Sequence, residues 1–195
     1  YNMSPPRQLL GELDELSGQV AKLVPPDSPR LRQLLLRSAM VAVALEQPDR
    51  AERLVAAARE QGRDKAPANT IRTETAQASI ARVRGQFDAA IGQIERRLQD
   101  YEKKGERVSL RHAFVLIDHA YVLLLRGKPG DRPLALASLA RAKAALPEGL
   151  SATQRVFAQW NYVHAAAQGG FDSRESLRAR DELAVHFGRT GATMP

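Results

Sequence analysis

Cysteine is absent from the chain. Disulfides, thiolate nucleophiles and cysteine-ligated zinc are therefore excluded together. Aromatic residues make up only 5% of the chain, and no stretch alternates Val, Ile, Thr and aromatics as a half-buried strand would. No block of five like charges occurs, which favours an ordinary solvated surface over a dedicated basic patch. The longest apolar run, Ala113–Leu125, is broken by Asp118 and His119. At about 1.5 Å per residue it spans roughly 20 Å, short of a hydrocarbon core. The opening Tyr1-Asn2-Met3-Ser4 matches a glycosylation sequon but lacks the basic and apolar segments of a signal peptide. It also lacks a leading Met, so the chain reads as cut from something longer.

What is present favours helices. Hydrophobic residues reach 44%, with Ala and Leu abundant, over 195 residues, enough for one domain or one contiguous array. The 29 basic and 22 acidic residues leave a net charge of +7, and 23 of the basic residues are Arg. A basic surface of this size is compatible with nucleic acid or anionic lipid as a partner. The arginines are nevertheless interspersed with Glu and Asp, which favours an ordinary solvated surface.

Apolar spacing and breakers divide the chain. A first helix over 7–24 carries Leu9, Leu13, Leu16, Val20 and Leu23, and Pro25-Pro26-Asp27-Ser28-Pro29 stops it. Further helices are expected over 30–46, to about 61, and over 69–84, 86–103, 106–126, 133–146, 151–168 and 172–187. The breaks between paired helices fall at Glu46, Gly85, Gly127 and Gly169, spaced by 39, 42 and 42 residues. Two helices per period of this length signal a repeat array in which each pair buries its apolar face on its neighbours.

Within "RGQFDAAIGQIERRLQDYEKKGE", Gly85 permits a tight reversal, Phe87 fills the wedge of the turn, and Ala90 admits a close neighbour. Ile94 and Leu98 then continue the stripe. This pattern resembles the second helix of the tetratricopeptide repeat. Gly85, Phe87, Ala90 and Ile94 match it, and Arg97 departs where a small residue is usual. Ala51, Val55 and Ala58 match, with Glu46 in the glycine's place. Ala135, Leu139, Ala142 and Pro147 match after Gly127 and about three extra residues; Gly169 and Phe171 match, and Arg174 departs. Small residues Ala39, Ala78 and Ala120 each fall seven before a turn.

The resemblance covers about 30–187 and is closest to the long-helix repeats of bacterial regulators. It implies an all-α, right-handed α-solenoid of about nine helices. Residues 1–29 form a capping helix and Pro-rich turn, 30–187 an array of about four pairs, and 188–195 a flexible tail. It implies a non-catalytic scaffold that grips a partner peptide or helix on a concave face lined by the first helices. That face takes Gln33, Leu36 and Met40, then Arg72, Thr75, Ser79 and Arg82, then Phe114, Ile117 and Tyr121, and from the last pair Trp160, Asn161 and His164. Arg, Tyr and Met in such a groove suit an acidic-hydrophobic peptide. A cytoplasmic bacterial setting, or the soluble part of a membrane-anchored protein, is expected.

Asp118 sits inside "AFVLIDHAYVLLL" and has two readings: a groove carboxylate for a cationic group, or a structural pair with an Arg such as Arg82. His112 and His119 rise about 10.5 Å apart on one helix, too far to share a metal, and read as partly exposed. Arg84, Arg96, Arg97, Arg107 and Arg111 read as solvated faces. There is no G-x-S-x-G elbow, and "GKPGD" lacks P-loop spacing. No enzyme, metal or cofactor is expected; the remaining alternatives are a nucleic-acid or lipid-binding surface and a ligand-sensing domain.

Overall fold

Four helices begin on a proline, whose fixed φ suits the first turn and whose missing N–H is not needed there. In the computed structural model these are α1 (Pro6–Leu23), α2 (Pro29–Ala44), α3 (Pro48–Glu60) and α4 (Pro67–Val83). They are followed by α5 (Phe87–Lys103), α6 (Leu110–Arg126) and α7 (Asp131–Ala144). The structure describes residues 6–25, 28–60, 67–105 and 108–151, and beyond these only 158, 161, 162, 164–166 and 170. These seven helices have described bounds, and no strand occurs among the described residues. Of the expected helix 151–168, the described positions 158, 161, 162 and 164–166 are helical, while helix 172–187 and the tail lie outside the described residues. The chain divides into two units, 2–90 and 91–195.

In the first unit α2 packs on α3 and on α4, α3 packs on α4, and α1 packs on α2. The α2–α3 and α4–α5 turns share one hydrogen-bond pattern. Glu46 and Gly85 adopt φ of +54° and +72°. Their N–H groups donate three residues back, to the Val43 and Arg82 carbonyls, at 3.0 Å each. The N–H groups of Gln47 and Gln86 donate five back, to Ala42 and Ala81, at 2.9 and 2.8 Å. This paired-bond stop needs a left-handed residue; Gly85 enters it freely, whereas Glu46 does so at a cost of about 1–2 kcal/mol.

The core of this unit is Leu36, Ala39, Ala42, Val43, Ala51, Val55, Ala58, Ala76 and Ile80. Its alanines let backbones approach, and Ala39, Ala78 and Ala120 are all buried, as the close-contact reading expects. Asp14 of α1 pairs with Arg50 of α3. Arg84, just past α4, bridges Asp49 and Glu52 at the head of α3, at 2.6 and 2.7 Å. The hydrogen bonds it donates to Glu52 and Asp49 hold its guanidinium above its ordinary pKa.

In the second unit α6 packs on α7. α6 begins at Leu110 rather than 106 because Ser109 caps it: its hydroxyl accepts from the His112 N–H at 3.1 Å. α6 ends at Gly127, in the left-handed region at φ 65°. α7 has no side-chain cap at Gly130. The carboxylate of Asp131 instead accepts from the Lys128 N–H at 2.8 Å and from Arg126 Nε and Nη2 at 2.9 and 2.6 Å. The buried seam of α6 includes Ala113, Leu116, Ala120 and Leu123, and α7, which packs on α6, buries Ala135, Ser138, Leu139 and Ala142.

Two readings of single residues are corrected. His112 is buried, 4% exposed, because its ring stacks on Tyr101 of α5, with centroids 5.2 Å apart. Arg97 is buried rather than on a solvated face.

Candidate interaction surfaces

Helical spacing places Gln33 and Met40 two turns apart on α2, and Thr75, Ser79 and Arg82 along one face of α4. α2 and α4 are in contact. Met40 is 40% exposed, and Gln33, Thr75, Ser79 and Arg82 are half-buried. Leu36, assigned to the same face, is buried in the core instead. The side chain of Arg72 lies outside the described residues.

In the second unit the apolar run of α6 is buried on one side only. Arg111 and Asp118 are exposed, and Phe114, Tyr121 and Leu125 are half-buried. They recur at intervals of three and four, which puts them on one stripe. Asp118 therefore meets solvent and does not incur the cost of burial; it has an interaction partner, as do Arg82 and Tyr121. The Tyr121 ring lies 5.3 Å from that of His164, tilted by 36°. The structure thus brings together two expected site residues that are far apart in sequence. His164 is exposed and Asn161 half-buried. Ile117 is buried and belongs to the helix packing. Trp160 and Arg107 lie outside the described residues.

Sequence reasoning missed two features. The first is a polar cluster across three helices, one hydrogen bond and one longer His–Glu contact. His119 Nδ1 lies 2.9 Å from Ser138 Oγ of α7, and its Nε2 lies 3.7 Å from Glu95 Oε1 of α5. Ser138 is only 4% exposed, so no substrate carbonyl reaches its hydroxyl, and the cluster ties helices together rather than forming a hydrolytic centre. Burial pushes the His119 pKa below its ordinary 6.5, opposed by Glu95 and aided by the positive charges of Arg141 and Arg126. A histidine lowered in this way favours the fold fully above its ordinary pKa, and its contribution is lost as pH falls through the folded value. The urea midpoint should therefore drop between about pH 7.5 and pH 5, and His119→Gln should flatten part of that slope. An unaltered slope in the variant would refute this role.

The second is a cavity of about 510 Å³ between the end of α1 and the start of α2, lined by Val20, Leu23, Val24, Arg30, Gln33, Leu34 and Arg37. The only signal in the sequence is that Leu16, Val20 and Leu23 continue an apolar stripe on a helix with no hairpin partner of its own.

Among the described residues no helix is long and apolar enough to cross a membrane, and no cluster of three His, Asp or Glu side chains is placed to hold a metal. Compared with protein-family models and with curated proteins, the chain matches none.

Proposed function

We propose that the chain is a non-catalytic interaction scaffold built of tetratricopeptide-like helix pairs, holding an acidic-apolar segment of a partner protein against the first helices. The observation that carries this reading is the packing of α2 on both α3 and α4, with the same turn recurring 39 residues later. A helix that touches its own hairpin partner and the first helix of the next pair is the unit from which such arrays grow. The repeat reading brings with it a right-handed solenoid of about four pairs, and a preformed face spares a bound segment much of the ordering cost. Met40, Thr75, Ser79 and Arg82 give that face a flexible apolar contact, two hydroxyls and a cation.

Because the chain has no cysteine, a photo-crosslinker attaches uniquely to Met40→Cys or Ser79→Cys. From lysate of the source organism, one and the same partner is expected to cross-link at both positions. Arg72→Glu combined with Arg82→Glu should reduce its capture by roughly tenfold, with the circular dichroism spectrum unchanged. Full capture by the charge-reversed variant would defeat the assignment. A nucleic-acid reading from the +7 charge is less favoured, since Arg50, Arg84, Arg126 and Arg141 are already in ion pairs. It would show instead as a steep linear fall of log affinity with log salt.

A further inference from the structure

The end of α1 and the first turns of α2 form a second surface, which shares only Gln33 with the residues assigned to the α2–α4 face. Leu23 is 83% exposed and Leu16, two turns earlier, 44%. Val20 lies between them, and these three continue into the cavity whose apolar walls are Val20, Leu23, Val24 and Leu34. A leucine this open forfeits the stabilisation that burial would supply. The polar members of the lining are Arg30, Gln33 and Arg37; no acid is among them. Arg30 and Arg37 are exposed, and neither guanidinium has an ion-pair partner among the described residues. Elsewhere in this unit Arg50 and Arg84 each meet a carboxylate.

From this arrangement we infer that the α1–α2 cavity is a docking site for an acidic amphipathic helix of a partner protein. The partner's apolar side chains enter between Val20, Val24 and Leu34 beneath Leu23, and its carboxylates meet Arg30 and Arg37. The spacing selects this occupant. Arg30 and Arg37 are seven residues apart on α2, a rise of about 10.5 Å, and two carboxylates seven apart on a helix lying alongside have the same rise. A row of apolar residues at intervals of three and four between those acids fills the cavity, as helix-in-groove recognition does elsewhere. A single-headed amphiphile such as a fatty acid satisfies one arginine and leaves the other unmatched. A second copy docking through the same face sets Arg30 and Arg37 against their own counterparts, a like-charge contact that isologous pairing cannot avoid. The inference stands whether or not the α2–α4 face binds.

The test uses the whole chain and a synthetic helix of about 18 residues, with leucines at three-and-four spacing and two glutamates seven apart, carrying a fluorophore. Binding is read by anisotropy. An environment-sensitive dye on Leu23→Cys, the sole thiol in the chain, reports where the peptide sits. Saturable binding with a dye response is expected. Arg30→Glu with Arg37→Glu should weaken it by at least about tenfold, and a peptide with lysines in place of the glutamates should bind this variant better than the parent. Both arginines are exposed, so folding is expected to survive, and unchanged circular dichroism checks it. The inference is overturned by absence of binding, by equal binding of the lysine peptide to the parent, or by full binding to the double variant. A silent dye also overturns it while leaving the α2–α4 reading intact. So does displacement of the peptide by decanoate at its own saturating concentration, or a dimer in light scattering that the double variant abolishes.

Discussion

Asp131→Ala is expected to lower the free energy of unfolding by about 3 kcal/mol, one of the largest effects of any polar substitution here. The carboxylate has three jobs at the α6–α7 connection. It takes two guanidinium hydrogen bonds from Arg126 at the end of α6, accepts the Lys128 N–H of the turn, and sits in the first turn of α7, where negative charge is favoured. Gly130 supplies no side-chain cap, so nothing else on α7 replaces this function. Alanine removes all three together and leaves the Arg126 guanidinium, four-fifths shielded from solvent, without its two-point partner.

The charge itself can be separated from the shape. The Arg126 hydrogen bond is the main cause that holds the Asp131 pKa below its ordinary value, against burial, with the Lys128 N–H assisting. Because the folded pKa is the lower one, this stabilisation is present above the unfolded value near 3.8 and is lost as pH falls through the folded one. Asp131→Asn keeps an acceptor for the Lys128 N–H but loses the ion pair, so it should cost roughly half as much and abolish that acid-side slope. Urea unfolding at neutral and acidic pH checks both. A loss below about 0.5 kcal/mol for Asp131→Ala would mean that the turn is held by other bonds.

How far the sequence foretold this depends on the range over which each feature is determined. Prolines, Ser109 and the turn residues act on their own few neighbours, and helix ends follow them closely. Glu46 is instructive: it breaks the glycine rule of the repeat, yet takes the same positive φ as Gly85, because the packing of α2 on α3 compels the turn. Ala39, Ala78 and Ala120 were legible through their constant distance from each turn. The burial of His112 was not, since it depends on Tyr101 arriving from α5. The His119 cluster was not legible either, because Ser138 and Glu95 come from helices whose rotation about their axes no local pattern states. Asp118 kept two readings in the sequence, a groove carboxylate or a structural pair, and its exposure is compatible with both. An unbroken apolar neighbourhood suggests burial all round, but one stripe of α6 remains open. The α1–α2 cavity depends on two facts of tertiary packing: which side of α1 is left uncovered, and that Arg30 and Arg37 line the space beside it.

Leu116→Ala should cost more still, about 3–5 kcal/mol, toward the upper part of the range for a deleted core leucine. The position of the residue decides this. Along α6 the seam reads Ala113, Leu116, Ala120, Leu123, small and large in turn, and Leu116 is fully shielded from solvent. α7, packed on α6, buries Ala135, Leu139 and Ala142. When a leucine is lost from such a seam, relaxation would have to come from its neighbours; the alanines carry no rotatable bulk to swing into the void, and Leu123 and Leu139 are themselves already buried. Closing it by moving α7 is resisted by the clamp at Asp131 and by the Arg141–Glu102 pair, 2.7 Å long, that ties α7 to α5. The cavity therefore stays open and the full penalty is felt. At about 2–4 °C per kcal/mol for a chain of this size, the melting temperature should fall by roughly 10 °C. Hydrogen exchange should lose protection in α6 and α7 together, since their seam is shared. Leu116→Met, which nearly conserves volume, should cost less than about 1.5 kcal/mol. A shift of less than about 2 °C for Leu116→Ala would mean that the seam closes on itself, and that small residues there do not hold the helices at a fixed approach.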